Sequence, residues 1–338
     1  MKLTTGDRMS RSRKCFIIPV LNSCALLLAA VGILTDCTPV GEQKVTAKHN
    51  AQAPHLTDAN SREMPLDKYL LNPAQQESVF SAYSISIASC MRGYGFTYPV
   101  PNSFNSGMGA DAPKTRVDGR FGFQSMTHAK KWGYHPDGGF PHRAQPSAGS
   151  HSNPDRWFAL TGTRDSSRDS GPGGLARGGR RVHDHGCAGD ASLTITGSRN
   201  GVIGDDETAT TLKFRTLTES QEDKRTLAVF ALWSHCMQGY KYSYRSPLEA
   251  LSDARWGKSN LPSGMEIRTA VADQKCRKRH NVVGVWFAVD YERQELAVKA
   301  HQAKLLEVKK KLARQLRAAE DVLSKKNILV KGRESTEG

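Results

Sequence analysis

Apolar side chains along this chain recur at helical spacing in separate blocks, with polar stretches between them. In the first block Val79, Tyr83, Ile87 and Cys90 follow at steps of four, four and three residues, which places them on one face of an α-helix. Asn72-Pro73-Ala74-Gln75 just ahead has the chemistry of a helix start, because Asn72 can cap, Pro73 has no N–H to leave unpaired and Gln75 can reach back. Gly93 is the expected exit. A short helix is expected at Met126 to Trp132 and a weak one over 207–217. Ser220 with Asp223 predicts the start of a better one, with Val229, Leu232, Trp233 and Cys236 on one face. Ser263-Gly264-Met265-Glu266 reads as a capping box leading through Ala270 to Cys276. From about Val282 a long helix is predicted to run towards Lys326. Its second half has an apolar stripe of Leu305, Val308, Leu312, Leu316, Ala319 and Leu323, flanked by Lys309, Lys310, Lys311, Arg314 and Arg317.

Two stretches break this pattern. The Gly, Pro, Ser and His-rich segment from Gly133 to about Pro154, and residues 163–186 with Gly171-Pro172-Gly173-Gly174 and Arg177 to Arg181, read as long loops too polar to pack. Trp157-Phe158-Ala159-Leu160 is the apolar anchor between them. The expected fold class is all-α: an irregular helical domain with two related helix-end repeats, two disulfides and long disordered loops.

The N-terminus has a different logic. Lys2, Arg8, Arg11, Arg13 and Lys14 precede an apolar run from Cys15 to Leu34, and Cys37 follows. This is the pattern of an export signal ending at a cysteine that can carry lipid, palmitate included. Leu34-Thr35-Asp36-Cys37 resembles the lipobox of bacterial lipoproteins, in which the acylated cysteine becomes the new N-terminus; Asp36 stands where that pattern has a small residue. An uncleaved membrane anchor over Cys15–Leu34 and simple secretion are the alternatives. The organisation that follows is a signal peptide at 1–36, a flexible tether at 37–64, a first helical half at 65–200 and a second at 201–330. All three versions place the rest of the chain outside the cytoplasm, with Cys37 as the lipidation site in the favoured one, on the outer face of the cytoplasmic membrane.

Composition narrows the choice of partners. Hydrophobic residues make up only 38% of the chain, below the usual share for a globular domain. The net charge is +15, and loss of residues 1–36 removes five basic and two acidic side chains, leaving +12. A surface that basic is drawn to polyanions. Outside a bacterial membrane these are anionic lipid headgroups and acidic cell-wall polymers rather than nucleic acid.

Downstream of Cys37 four cysteines remain, Cys90, Cys187, Cys236 and Cys276. An even set in an oxidising compartment predicts disulfides, and no Cys-x-x-Cys is present to favour metal or redox chemistry. Cys90-Met91-Arg92-Gly93-Tyr94-Gly95-Phe96-Thr97-Tyr98-Pro99-Val100-Pro101 recurs as Cys236-Met237-Gln238-Gly239-Tyr240-Lys241-Tyr242-Ser243-Tyr244-Arg245-Ser246-Pro247, with six of twelve positions identical. Each copy reads as a helix end with an inward cysteine, a Gly free to turn left-handed, and aromatics that fold back over the last turn. Four cysteines allow three pairings. Giving each copy the next cysteine downstream pairs Cys90 with Cys187 and Cys236 with Cys276.

These features together resemble a group of uncharacterised actinobacterial secreted lipoproteins. The resemblance is carried by the Pro-Ala-Gln-Gln helix start, the paired Cys-Met helix ends, Gly186-Cys187-Ala188-Gly189, Asp273 to Cys276, and Val285 to Val289. It covers residues 65–310 in patches and implies an address and an architecture but no activity.

Several shorter patterns compete. Arg92-Gly93-Tyr94-Gly95-Phe96 matches the start of an RNA-recognition signature, but it follows a helix end and the second copy loses it. His183, His185 and Cys187 are of metal-ligand type, yet no fourth ligand is suitably spaced. Gly171 to Ala176 fits Gly-x-Gly-x-x-Ala without a preceding strand. No Gly-x-Ser-x-Gly, His-Glu-x-x-His or Walker sequence occurs. The expectation is a non-catalytic binding or structural protein at the cell envelope, with no cofactor, no metal and no catalytic residues assigned. The alternative is a hydrolase or metal-dependent enzyme using His183 and His185.

Overall fold

The computed structural model describes residues 53–56, 59, 62–101, 120–140 and 153–334. Cys37, the expected signal segment and residues 102–119 and 141–152 lie outside the described residues. The fold is all-α: α1 (Pro73–Arg92), α2 (Met126–Trp132), α3 (Pro154–Thr161), a two-stranded hairpin of β1 (Gly174–Leu175) and β2 (Arg181–Val182), α4 (Gly186–Thr196), α5 (Glu207–Glu222), α6 (Lys224–Gly239), α7 (Pro247–Leu251), α8 (Gly264–Arg279), α9 (Val282–Ala300) and α10 (Gln302–Glu334). The strands are antiparallel, with Gly174 opposite Val182. No helix among the described residues is long and apolar enough to cross a membrane.

The start of α1 follows its local chemistry. The Asn72 side chain accepts the Gln75 N–H and Gln75 accepts the Asn72 N–H, each at 2.9 Å, with Pro73 in the first turn. Elsewhere the boundaries move. Ser220 does not open a helix; it ends α5, where its buried hydroxyl donates to the Leu217 carbonyl and accepts the Trp286 indole N–H. Asp223 caps α6 instead. On α6 the inward residues are Val229, Phe230, Trp233 and Met237, while Leu232 is exposed. The helix predicted from Val282 to Lys326 breaks at His301, whose backbone leaves helical geometry, and gives α9 and α10.

Two apolar cores hold most of the helices. Trp233, Trp286, Phe121, Phe230 and Met237 centre one, in which Phe121 and Phe230 meet the Trp286 ring edge-to-face at 5.0 and 5.3 Å. In the other, Leu305, Val308, Leu312 and Ala319 of α10 pack with Val79 and Ala82 of α1 and with Ile195 of α4. The C-terminal helix therefore lies against elements from the first half of the chain. A smaller cluster of Ile87, Met91, Ala159, Cys187 and Ala191 surrounds the first disulfide.

Order begins before Pro65, a correction to the tether expected over residues 37–64. Leu56, Ala59 and Met64 are buried in the Trp286 core. The Leu56 N–H donates to the Asn281 side chain at 3.2 Å, and Pro54 lies so close to Gly284 that any β-carbon there would collide with its carbonyl. The residues between Thr163 and Gly186 also pack despite their composition. Backbone bonds supply what side chains lack: the Gly171 N–H donates to Thr161, Gly173 to Gly162 and His185 to Gly171.

Candidate functional site

The duplicated helix end is the first feature to test, because it carries the predicted disulfides. Cys90 is bonded to Cys187 and Cys236 to Cys276, with Cα separations of 5.6 and 5.7 Å. Both copies end in the same way. Phe96 N–H donates to the Met91 carbonyl and Tyr242 N–H to that of Met237, at 3.0 and 3.1 Å. Gly95 and Lys241 donate to Arg92 and Gln238. This is a Schellman motif in each copy, with Met91 and Met237 fully buried beneath it. The left-handed residue is not Gly93 or Gly239, as expected, but Gly95 at φ 81° and its counterpart Lys241 at φ 69°.

The two staples join different ends. Cys187 lies in the first turn of α4, so the first bond links a helix C-terminus to an N-terminus; Cys276 lies in the last turn of α8, so the second joins two C-termini.

The His183, His185 and Cys187 pattern separates in space. Cys187 is consumed by its disulfide. His183 faces the Asp190 carboxylate at 3.0 Å, an acid that also pairs with Arg199, and His185 stands beside Asp184 at 3.0 Å. Among the described residues no three His, Cys, Asp or Glu side chains are grouped to hold a metal ion. Arg92 to Phe96 form the helix exit, where the Tyr94 hydroxyl donates to the Arg181 carbonyl and the Arg180 guanidinium stacks at 4.9 Å on the Tyr94 ring. Gly174 and Leu175, within the Gly-x-Gly-x-x-Ala match, belong to the hairpin.

A buried polar network escaped the sequence reading. Glu266, expected to cap α8, is only 1% exposed and turns inward: its carboxylate accepts the Tyr134 backbone N–H at 2.9 Å and sits 2.7 Å from His135 Nδ1. The reciprocal half of the box is missing, and Ser263 caps alone. His135 Nε2 faces the Ser259 carbonyl at 2.9 Å. One helical stretch further, Asp273 accepts from the Trp233 indole, the Arg277 guanidinium and the Tyr134 hydroxyl, and Arg277 also reaches the Phe121 carbonyl. Burial, then the Asp273 charge, drives the Tyr134 hydroxyl far above its ordinary range, so it remains a donor at any physiological pH. The partners lie 131 or more residues apart for the His135–Glu266 and Tyr134–Asp273 pairs, and no local spacing announces them. The Tyr134, His135, Glu266, Asp273 and Arg277 side chains are all buried, so the network positions structure.

The remaining candidate is cationic surface. The apolar stripe of α10 is packed on the body through Leu305, Val308, Leu312 and Ala319. Its charged flank is partly neutralised. Lys310 pairs with Glu307 and Lys311 with Asp206, each at 2.8 to 2.9 Å, and the hydrogen bond to Asp206, then its charge, draw the Lys311 pKa upward. Lys304, Lys309 and Arg317 are exposed. A shallow surface groove of about 390 Å³ lies between Leu227, Phe230 and Ala231 of α6 and Arg245, Ser246 and Glu249.

Comparison of the chain with known protein families, with characterised proteins and with solved structures gives no match in any of the three.

Proposed function

We propose that this is a lipid-tethered extracytoplasmic protein, attached through Cys37, that binds acidic partners at the cell envelope without catalysing a reaction. The observation that carries the reading is the use of its cysteines: all four downstream of Cys37 are consumed in two disulfides, which suits an oxidising compartment and leaves Cys37 for another role. The likeness to secreted lipoproteins points the same way. The net charge of the chain is strongly positive, which draws acidic partners to its surface. Of the residues in the enzymatic alternative, His183 is held by Asp190, and Cys187 beside it in sequence is consumed by its disulfide.

Two measurements test this. Mass spectrometry of the protein isolated from its native membrane reads the group on Cys37, and an unmodified N-terminus carrying residues 1–36 overturns the tether. Co-sedimentation with purified acidic wall polymer or anionic vesicles, repeated over a salt series, tests the binding. Retention at low salt that fades as salt rises is expected, and no retention even at low salt removes the binding role.

A further inference from the structure

The sequence segments that meet at the second disulfide, residues 235–245 and 274–289, contain no acidic side chain. Cys236–Cys276 draws the C-terminal turns of α6 and α8 together, and around it Lys241, Lys275, Lys278 and Arg279 are all exposed. Lys275 is three and four residues from Lys278 and Arg279 on α8, which puts their β-carbons about 5–6 Å apart. Across the staple, Lys241 is held at a left-handed backbone position, and the Lys275 ammonium covers the Tyr240 ring at 5.7 Å. His235 is exposed and His280 half-buried at the same corner.

The cations nearby that do have partners stand apart from these four. Arg277 turns inward to Asp273, and Arg245 pairs with Glu249. Lys241, Lys275, Lys278 and Arg279 form no ion pair among the described residues. At the same corner burial, and after it Arg279 and His235, hold the His280 pKa below the ordinary histidine value.

Basic residues at helix C-termini have a structural reason, since each helix end carries roughly half a negative charge. Two such ends offset about one unit of charge. Four fixed positive charges therefore leave about three uncompensated, more than helix stability requires, and the disulfide holds them together against their mutual repulsion.

We propose that this corner binds a chain of phosphate groups. The inference rests on the reading of the protein as a binder of acidic partners and names the site and the ligand chemistry. Three of the four fixed charges are lysine ammoniums, compact point charges that bind phosphate oxygens one at a time on flexible stems and so suit a chain of them. The flank of α10 is the weaker site because Lys310 and Lys311 are already engaged by acids of this chain.

The test uses the full-length protein and linear polyphosphate as the probe, with binding followed over a salt series. Wild-type protein binds, and the slope of log K against log salt is negative. The variant Lys241→Gln/Lys275→Gln/Lys278→Gln/Arg279→Gln loses about 3 units of that slope, taking about 0.7 per phosphate contact for four contacts. The α10 variant Lys304→Gln/Lys309→Gln/Arg317→Gln keeps the wild-type slope. If the fourfold variant does not fold, Lys275→Gln/Lys278→Gln alone loses about half as much. An unchanged slope in the corner variants, or a loss confined to the α10 variant, overturns the proposal and leaves the binding role intact. Wild-type binding to phosphatidylglycerol vesicles without binding to polyphosphate overturns it in favour of a membrane surface. Wild-type protein that binds neither probe at low salt refutes the parent reading itself.

Discussion

The helix-end repeat makes a prediction in which two glycines of the same motif respond in opposite directions. Gly95 has φ +81°, and a β-carbon built there meets no atom within 4 Å. The cost of Gly95→Ala is therefore purely conformational, about 1–2 kcal/mol for an L-residue held left-handed, less the part recovered because alanine loses less entropy on folding. A net destabilisation of about 1 kcal/mol is expected. Gly239 likewise has open space around it, but its φ is not positive, and it is the last residue of α6. Gly239→Ala should stabilise by about 0.5–1 kcal/mol through the same entropy and helix-propensity effects. For a folded unit of this size, about 1 kcal/mol moves Tm by roughly 2–4 °C. Thermal unfolding followed by circular dichroism with both disulfides intact resolves shifts of opposite sign. A neutral Gly95→Ala together with a destabilising Gly239→Ala would show that the left-handed residue lies where the sequence placed it, and would refute the Schellman geometry described above.

Three further outcomes follow from buried contacts and from charge. Gly284→Ala forces a β-carbon to about the Pro54 carbonyl and should cost on the order of 1–3 kcal/mol, with faster hydrogen exchange at Leu56 and Ala59; unchanged exchange there would mean that Leu56 and Ala59 are not anchored at this point. Glu266→Ala leaves His135 and the Tyr134 N–H without their partner and should cost about 3 kcal/mol, whereas a loss well under about 1 kcal/mol would return Glu266 to an ordinary capping role. Asp223 is partly buried, which alone would raise its pKa, but its bonds to Arg225 and Arg293 outweigh burial and hold the carboxyl well below the usual carboxylate range. A depressed carboxylate contributes stability above its unfolded value of about 3.9 and loses it as pH falls further. Asp223→Asn, which keeps the cap, should therefore destabilise at neutral pH and flatten the fall in stability below about pH 4; parallel acid limbs for the two proteins would refute that assignment.

Much of the helical frame was legible locally. The Asn72–Gln75 box, the start of α8 at Ser263 and the stripe of α10 depend on neighbours within a turn or two, and the structure has each of them. The misplaced features depended on context. Leu232 has the right spacing for the α6 face, but the face is set by where Trp286 packs, so Phe230 is inside and Leu232 outside. The break at His301 leaves the hydrophobic period uninterrupted on both sides and is visible only in the backbone. The corner at Cys236–Cys276 was hidden because its cations come from two segments, each unremarkable alone, while the attention of a linear reading goes to the lysine run on α10.

By itself the sequence determined the class of fold, the helix starts, the duplicated helix end and the number of cysteines available for cross-links, because each of these follows from periodicity, capping chemistry or counting. Tertiary structure decided which residue of the duplicated end turns left-handed, that Leu56, Ala59 and Met64 are anchored in the core, that Glu266 serves His135 rather than its own helix, and which lysines stay unpaired. The reason is range: hydrogen bonds such as that between Leu56 and Asn281 span 225 residues of chain, and a charge has a partner, or lacks one, only after the helices that carry it have packed.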